Sequence, residues 1–327
     1  MRIRIMPVVK VFLVVAVFLA QPVLIPSVDA KFPEKTIVWV VPYSPGGGFD
    51  TYSRAIARVM PKYLPKKVNV VIKNLTGAGG RRGTAALYRS KPDGHTIGIL
   101  NIQGLVAADY FIEKSKSYDL SKFNYFGTIV SSHSGIFVPL NSPYKTLKDM
   151  QDAERVRFAI SGVGSSSWIS AIFIKEILKV PVHIVSGYAG SSQFIVAAIK
   201  GEADAVSTGD VTTEMRYIRA GELRPVLVFT LKPSVYLPEV PHLGGTPFEQ
   251  MAHLTPFDRI VAAPPGVPDD VLQVLEKAFM DAVNDKDYLA WAKKANRPVS
   301  PQSAKNTTQV VRTLIELYSN YAEKVKK

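Results

Sequence analysis

Residues 37–50 read IVWVVPYSPGGGFD: five strand-forming residues, a proline-punctuated turn, three consecutive glycines, and an acidic residue where a helical pattern begins. Ile, Val and Trp suit a pleated, buried strand, so Ile37–Val41 reads as one. Glycines between a strand and a helix let the main chain come close to a ligand, and the free N–H groups of a helix start favour an anion. Asp50 is placed to serve as the helix N-cap. A phosphate loop would continue into Gly-Lys-Ser/Thr, and this one does not.

The same arrangement recurs outward along the chain. Residues 74–83, NLTGAGGRRG, again join a strand to a helix. Their glycines miss the dinucleotide spacing G-x-G-x-x-G because Arg82 stands where the third belongs. Residues 161–167, SGVGSSS, place three hydroxyls at a helix start, where hydroxyls and free N–H groups can hold a carboxylate without a lysine or arginine. Tyr188-Ala189-Gly190-Ser191-Ser192 and Thr208-Gly209-Asp210 repeat the pattern at two more strand ends. Each loop taken singly reads equally as a tight strand-to-helix turn. Several such ends suggest a cleft closing on a small anion, since ligands of open α/β sheets sit at the carboxyl ends of strands.

Strands are predicted at Ile37–Val41, Val68–Ile72, Thr96–Leu100, Ile136–Val138, Val156–Ile160, His183–Val185, Ala203–Ser207, Val226–Thr230 and Ile260–Ala262. Helices are predicted at Asp50–Tyr63, Gly80–Arg89, Ser165–Lys179, Ser191–Lys200, Val211–Ala220, Asp269–Asn284 and Pro301–Lys324. In the last, Val310, Leu314, Leu317 and Tyr321 form a stripe that should dock on the body. The alternation indicates α/β architecture with largely parallel sheets. Crossings between domains are expected around Ser131–Asn141 and around Val226–Pro233.

Arg2, Arg4 and Lys10 precede an apolar run, Val11–Ala20, and Val28-Asp29-Ala30 offers small residues where a signal peptidase reads. The run is shorter than the roughly 20 apolar residues that span a bilayer. Residues 1–30 are therefore expected to be a signal peptide, cleaved after Ala30. Without Arg2, Arg4, Lys10 and Asp29, the 40 basic and 27 acidic residues become 37 and 26, a net charge of +11. The nearly 300 remaining residues suit two domains. Cysteine is absent, which excludes disulfides, thiol chemistry and a lipid-modified N-terminal cysteine. Basic residues are scattered, which argues against nucleic acid.

An exported hydrolase acting on a small acidic substrate is the main alternative from another class. It would want a G-x-S-x-G elbow, which is missing, or a base beside one of the serines. His95, His133, His183, His242 and His253 are dispersed, His133 alone lying between serines at an expected crossing. No two are spaced three or four apart and thiols are absent, so no metal is expected; the glycine spacing and the expected export likewise leave no cofactor expected.

Taken together, PYSPGGGFD (42–50), NLTGAGGRRGTAAL (74–87) and KPDGHTIGI (91–99) resemble the Bug-type receptors of tripartite tricarboxylate transporters. GVGSSS (162–167), YAGSSQFIVAAIKGEADA (188–205), VLVFT (226–230), LPEVPHL (237–243) and AAPPGVPDDVLQVLEKAF (262–279) extend the likeness to practically all of the chain after residue 31. The resemblance implies a two-domain periplasmic binding protein of the type II, Venus-flytrap kind. Each domain would be a mainly parallel sheet flanked by helices, the two joined by crossing strands, with residues 31–135 plus 232–327 in one and 136–231 in the other. It implies a monomeric receptor, not an enzyme, that gives a small carboxylate to the transporter's membrane components. Carried over by position, Ser44, Gly47, Gly48, Asp50 and Gln103 would face the ligand from the first domain. Gly164, Ser165, Ser166, Tyr188 and Asp210 would face it from the second. Phe49, Arg81, Arg82 and Trp168 depart from the family pattern. Trp168 reads as core packing, or else narrows the cleft together with Phe49.

Overall fold

The computed structural model describes residues 32–112 and 117–325; the predicted signal peptide and its cleavage point lie outside them. The strands sort into two sheets. One holds β1 (Ile37–Val41), β2 (Val70–Asn74), β3 (Thr96–Leu100), β4 (Asn124–His133), β10 (Pro256–Ala263) and β11 (Gln302–Ser303), in the order β11-β4-β10-β3-β1-β2. The other holds β5 (Gly135–Pro139), β6 (Val156–Ala159), β7 (Val182–Val185), β8 (Ala205–Val206) and β9 (Leu223–Val228), in the order β7-β6-β8-β5-β9. Helices α1 (Gly48–Val59), α2 (Arg81–Tyr88) and α3 (Ile102–Phe111) follow β1, β2 and β3. Helices α4 (Leu147–Gln151), α5 (Ser166–Glu176), α6 (Ser191–Ile199) and α7 (Val211–Arg219) belong to the part of the chain that builds the second sheet. The chain closes with α8 (Gln250–Leu254), α9 (Asp269–Val283), α10 (Lys286–Lys294) and α11 (Ala304–Val325).

Both sheets repeat one topology. Three parallel strands stand in the order second, first, third: β2-β1-β3 and β7-β6-β8. An antiparallel strand then pairs with the third, β10 beside β3 and β5 beside β8. Each of these is the strand that arrives from the other lobe. The chain leaves the first sheet after His133, turns at Ser134 and enters the second at Gly135; it returns between Val228 and Pro256. Among the described residues the sheets are therefore mixed and not mainly parallel, with four of nine strand pairings parallel. The two strands delivered by crossings, β5 and β10, are thus the ones that enter antiparallel to the third strand of their sheet.

Ile37, Trp39, Val40 and Val41 are all buried, as expected for an inner strand covered on both faces. The last helix docks as predicted, but its innermost stripe is Val311, Leu314 and Tyr318, with Tyr318 Oη donating to the Leu254 carbonyl at 2.6 Å. Predicted Leu317 and Tyr321 pack at its margin. One apolar cluster runs through both lobes: Leu100 and Ile260 of the first sheet share it with Phe158 and Ile174 of the second lobe. Trp168 is buried in this cluster.

Candidate functional site

The loops after β1, β6, β7 and β8 meet at a cavity of about 30 Å³ between the two sheets. From the first lobe come Tyr43, Ser44, Gly47, Gly48, Phe49, Phe257 and Arg259; from the second come Ser161, Ser166, Ser167, Gly190, Ser191, Phe194, Thr208, Asp210 and Thr213. Gly48, Ser166 and Ser191 are the first residues of α1, α5 and α6, so three helix N-termini open onto it. Each presents unpaired N–H groups and the positive end of a helix dipole, an arrangement that suits an anion.

The lobes touch around this cavity. The Ser44 N–H donates to the Ala189 carbonyl at 3.4 Å, and Ser192 Oγ to the Gly46 carbonyl at 3.2 Å. Gly104, in an ordinary helical turn of α3, faces the main chain of Gly164 to Ser166 so closely that a Cβ would lie 2.6 Å from the Ser165 carbonyl carbon. Tyr43 ties two first-lobe loops together: its Oη donates to the Gly79 carbonyl and accepts from Asn101 Nδ2, both at 2.8 Å.

Asp50 is not the N-cap, a position Gly47 takes. Its carboxylate instead accepts from the Gly46 N–H at 2.9 Å, from Arg54 Nε and from Asn74 Nδ2. Burial pushes this carboxyl up, but Arg54, the Gly46 N–H and Asn74 outweigh that and hold it below its ordinary value. Asp50 thus braces the glycine loop from behind and does not line the cavity.

Asp210 does line it, and caps α7. It accepts from the Thr212 N–H at 3.1 Å, Thr212 Oγ1 at 2.8 Å, Thr213 Oγ1 at 3.0 Å and Arg259 Nη2. Burial would raise its pKa; Arg259 and the Thr212 donors more than offset this and hold it low. Arg259 comes from β10 of the opposite lobe, and both side chains are 1% exposed. The guanidinium lies over the rings of Phe49, Phe257 and Tyr52 at 4.8, 5.0 and 5.1 Å. Behind Thr208, the fully buried Glu214 accepts from the Thr208 N–H and hydroxyl, and burial pushes its carboxyl up to about 8.

Of the residues predicted to face a ligand, Ser44, Gly47, Gly48, Ser166 and Asp210 line the cavity. Ser165 stands behind as the α5 N-cap, accepting from the Trp168 N–H at 3.2 Å. Gly164 abuts the first lobe, with Arg81 and Ala108 closest to it. Gln103 is buried away from the cavity. Tyr188 lines an adjoining hollow of about 320 Å³ that shares Tyr43 and Ser161 with the cavity. Phe49 is in the cavity wall, stacked on Tyr43 with ring centroids 4.8 Å apart, whereas Trp168 is not. Sequence reasoning missed Arg259, Phe194, Phe257 and Thr213. For Arg259 a signal existed: an arginine beside Ile260-Val261-Ala262-Ala263, a run apolar enough to be interior.

Two α/β lobes with twin topology, two chain crossings and a cavity of helix starts between them define a solute-binding protein of the periplasmic type. The model of the tripartite tricarboxylate transporter family receptor matches residues 53–320, and the chain belongs to that family, one of receptors and not of enzymes. The chain is 29% identical over 272 residues to a UPF0065 protein of the tcbD–tcbE intergenic region of Pseudomonas sp. strain P51, covering 79% of this chain and 76% of that one. The solved periplasmic binding protein BugD superposes with a TM-score of 0.78 at 22% identity, over 90% of this chain and 98% of its own. MatC of Rhodopseudomonas palustris with bound malate gives 0.78 at 21% identity, over 89% and 100%.

Proposed function

We propose that this receptor captures a small organic carboxylate in the periplasm and hands it to the membrane components of a tripartite tricarboxylate transporter, acting as a monomer. The observation that carries this reading is the convergence of three helix N-termini, rimmed by serine and threonine hydroxyls, on one interlobe cavity. Such donors recognise a carboxylate through main-chain N–H groups and need no chemistry on it. Family membership and the malate held by a relative of the same fold support it. A cavity of about 30 Å³ has room for only about two waters, so an acid of several carbons enters by parting the lobes. Closure around the acid then makes the shape the membrane partner reads.

Delivery to the periplasm rests on residues 1–30 acting as a cleaved signal peptide. The domains are assigned as residues 31–135 plus 232–327 and residues 136–231, a division supported by the crossings at Ser134 and between Val228 and Pro256. A thermal-shift screen of the protein against a carboxylate panel tests the function. A ligand at about 100 times its Kd adds roughly 2.7 kcal/mol of stability, and Ser166→Ala should reduce that gain. An unmoved transition with every acid contradicts the proposal.

A further inference from the structure

The charged side chains in the cavity wall, among the described residues, are Asp210 and Arg259. They come from opposite lobes and pair with each other. Asp210 is saturated: both its oxygens already accept from Thr212, Thr213 or Arg259. Arg259 is not. Its Nη2 serves Asp210 and Thr213, while Nε and Nη1 have no hydrogen-bond partner among the described residues although the side chain is 1% exposed. Buried guanidinium N–H groups without an acceptor are costly, and such groups beside a cavity await one.

The position of Arg259 is specific. Its guanidinium reaches the first turn of α1 because residue 48 has no side chain; a Cβ there would collide with Nη2. The cation therefore adjoins a helix N-terminus, and Phe49, Phe257 and Tyr52 hold its plane. Tyr43 and Phe194 add two more rings, and the rest of the wall is glycine, serine and threonine.

We propose that Arg259 anchors a carboxylate of the ligand and that Asp210, as the positioning residue for Arg259, restricts the site to acids carrying one negative charge and an apolar or aromatic body. The charge arithmetic gives the restriction. Arg259 and Asp210 cancel, so a single carboxylate hydrogen-bonded by Arg259 has its charge offset by the helix starts at the cavity, each worth roughly half a positive charge and together enough for about one anion. A second carboxylate would exceed what the helix starts offset and would share the cavity with the Asp210 carboxylate, with no cation left to meet it, and burying an unpaired charge is heavily penalised. This inference rests on the carboxylate-receptor reading above and narrows its ligand.

The test is calorimetric titration of the full-length mature protein with propionate, benzoate, succinate and citrate. The wild type should bind propionate or benzoate more tightly than succinate or citrate. Arg259→Gln, and the charge-balanced double variant Asp210→Asn with Arg259→Gln, should each lose about 100-fold in affinity. The double variant leaves no buried unpaired charge, so it guards against mere unfolding. Asp210→Asn alone frees the cation and should move the succinate-to-propionate affinity ratio upward by about 10-fold or more. Wild-type affinity in the double variant, an unchanged ratio in Asp210→Asn, or tighter binding of succinate or citrate by the wild type overturns the proposal while leaving the receptor reading intact. Failure of the wild type to bind any of the four and any other carboxylate removes that reading and the proposal with it.

Discussion

The two lobes furnish the same cavity with different materials. The first supplies a bare glycine loop, three aromatic rings and a cation; the second supplies serine and threonine hydroxyls, one ring and an anion. Neither set is a complete site. The Arg259–Asp210 pair forms only where the lobes meet, so electrostatic complementarity is a property of the closed shape and not of either lobe. The difference also separates what is rigid from what is reachable. Asp50, Asn74, Arg54 and Tyr43 fix the glycine loop from within its own lobe, while the second lobe reaches it by hydrogen bonds between Ala189 and Ser44 and between Ser192 and Gly46.

The largest expected effect comes from breaking the pair on one side. Asp210→Ala removes the α7 cap and leaves Arg259 buried without a counter-charge, which should cost about 3–5 kcal/mol. Replacing both partners by the uncharged amides, Asp210→Asn with Arg259→Gln, should cost much less, and denaturant midpoints of the two variants should differ clearly. Equal midpoints would mean that the pair does not hold the lobes.

Glu214 offers a second handle on the second lobe alone. Unfolded, its carboxyl titrates near 4.5; folded, near 8. Between those values the folded chain keeps a proton that the unfolded chain has released, so stability falls as pH rises through this window. Glu214→Gln should gain on the wild type by an amount on the order of a few kcal/mol at pH 8 and above, and by almost nothing near pH 4.5. Thermal melts across that range read the difference, and a flat difference would contradict the buried neutral carboxyl.

Gly104→Ala tests the contact between the lobes without touching either charge. Alanine favours the α3 helix by up to about 1 kcal/mol over glycine, yet its Cβ would strike the main chain of Gly164 to Ser166. The variant should fold normally, show a larger radius of gyration by small-angle scattering, and bind ligand at least about 10-fold more weakly because closure is blocked. Unchanged scattering and affinity would show that the lobes do not need to meet here.

The smallest effect is expected at Trp168. Its ring is in the apolar core and outside the cavity wall, so Trp168→Phe should leave the ratio of affinities for benzoate and propionate unchanged, whereas Phe49→Leu should lower it by a few-fold. A changed ratio in Trp168→Phe would place the indole at the ligand after all.

Local signals explain which parts of this fold were legible beforehand. β1 and β3 fall on the predicted residues because each is a short β-branched run closed by turn residues. α3 escaped notice because it is wedged between the lobes and apolar nearly all round, so IQGLVAADYF carries no helical period to read. β4 was missed because its buried first half, NYFGTIV, is interrupted by Gly127 and runs into a polar SSH end at the crossing. The glycine and serine loops of the site were readable since each lies within a few residues of its strand. The apolar run beside Arg259 marks it as interior but not what it does, because that depends on Asp210, 49 residues away, and on rings from Phe49 and Phe257 that only folding assembles.

As proposed, the chain closes on a carboxylate and does nothing further to it. Titration calorimetry of wild-type residues 31–327 against a broad panel of organic acids, with the recovered ligand analysed by mass, is the direct test. The expected result is saturable one-to-one binding of at least one acid, with Kd of about a micromolar or tighter, and an unaltered ligand. No binding at millimolar concentrations, or conversion of any acid, would contradict it.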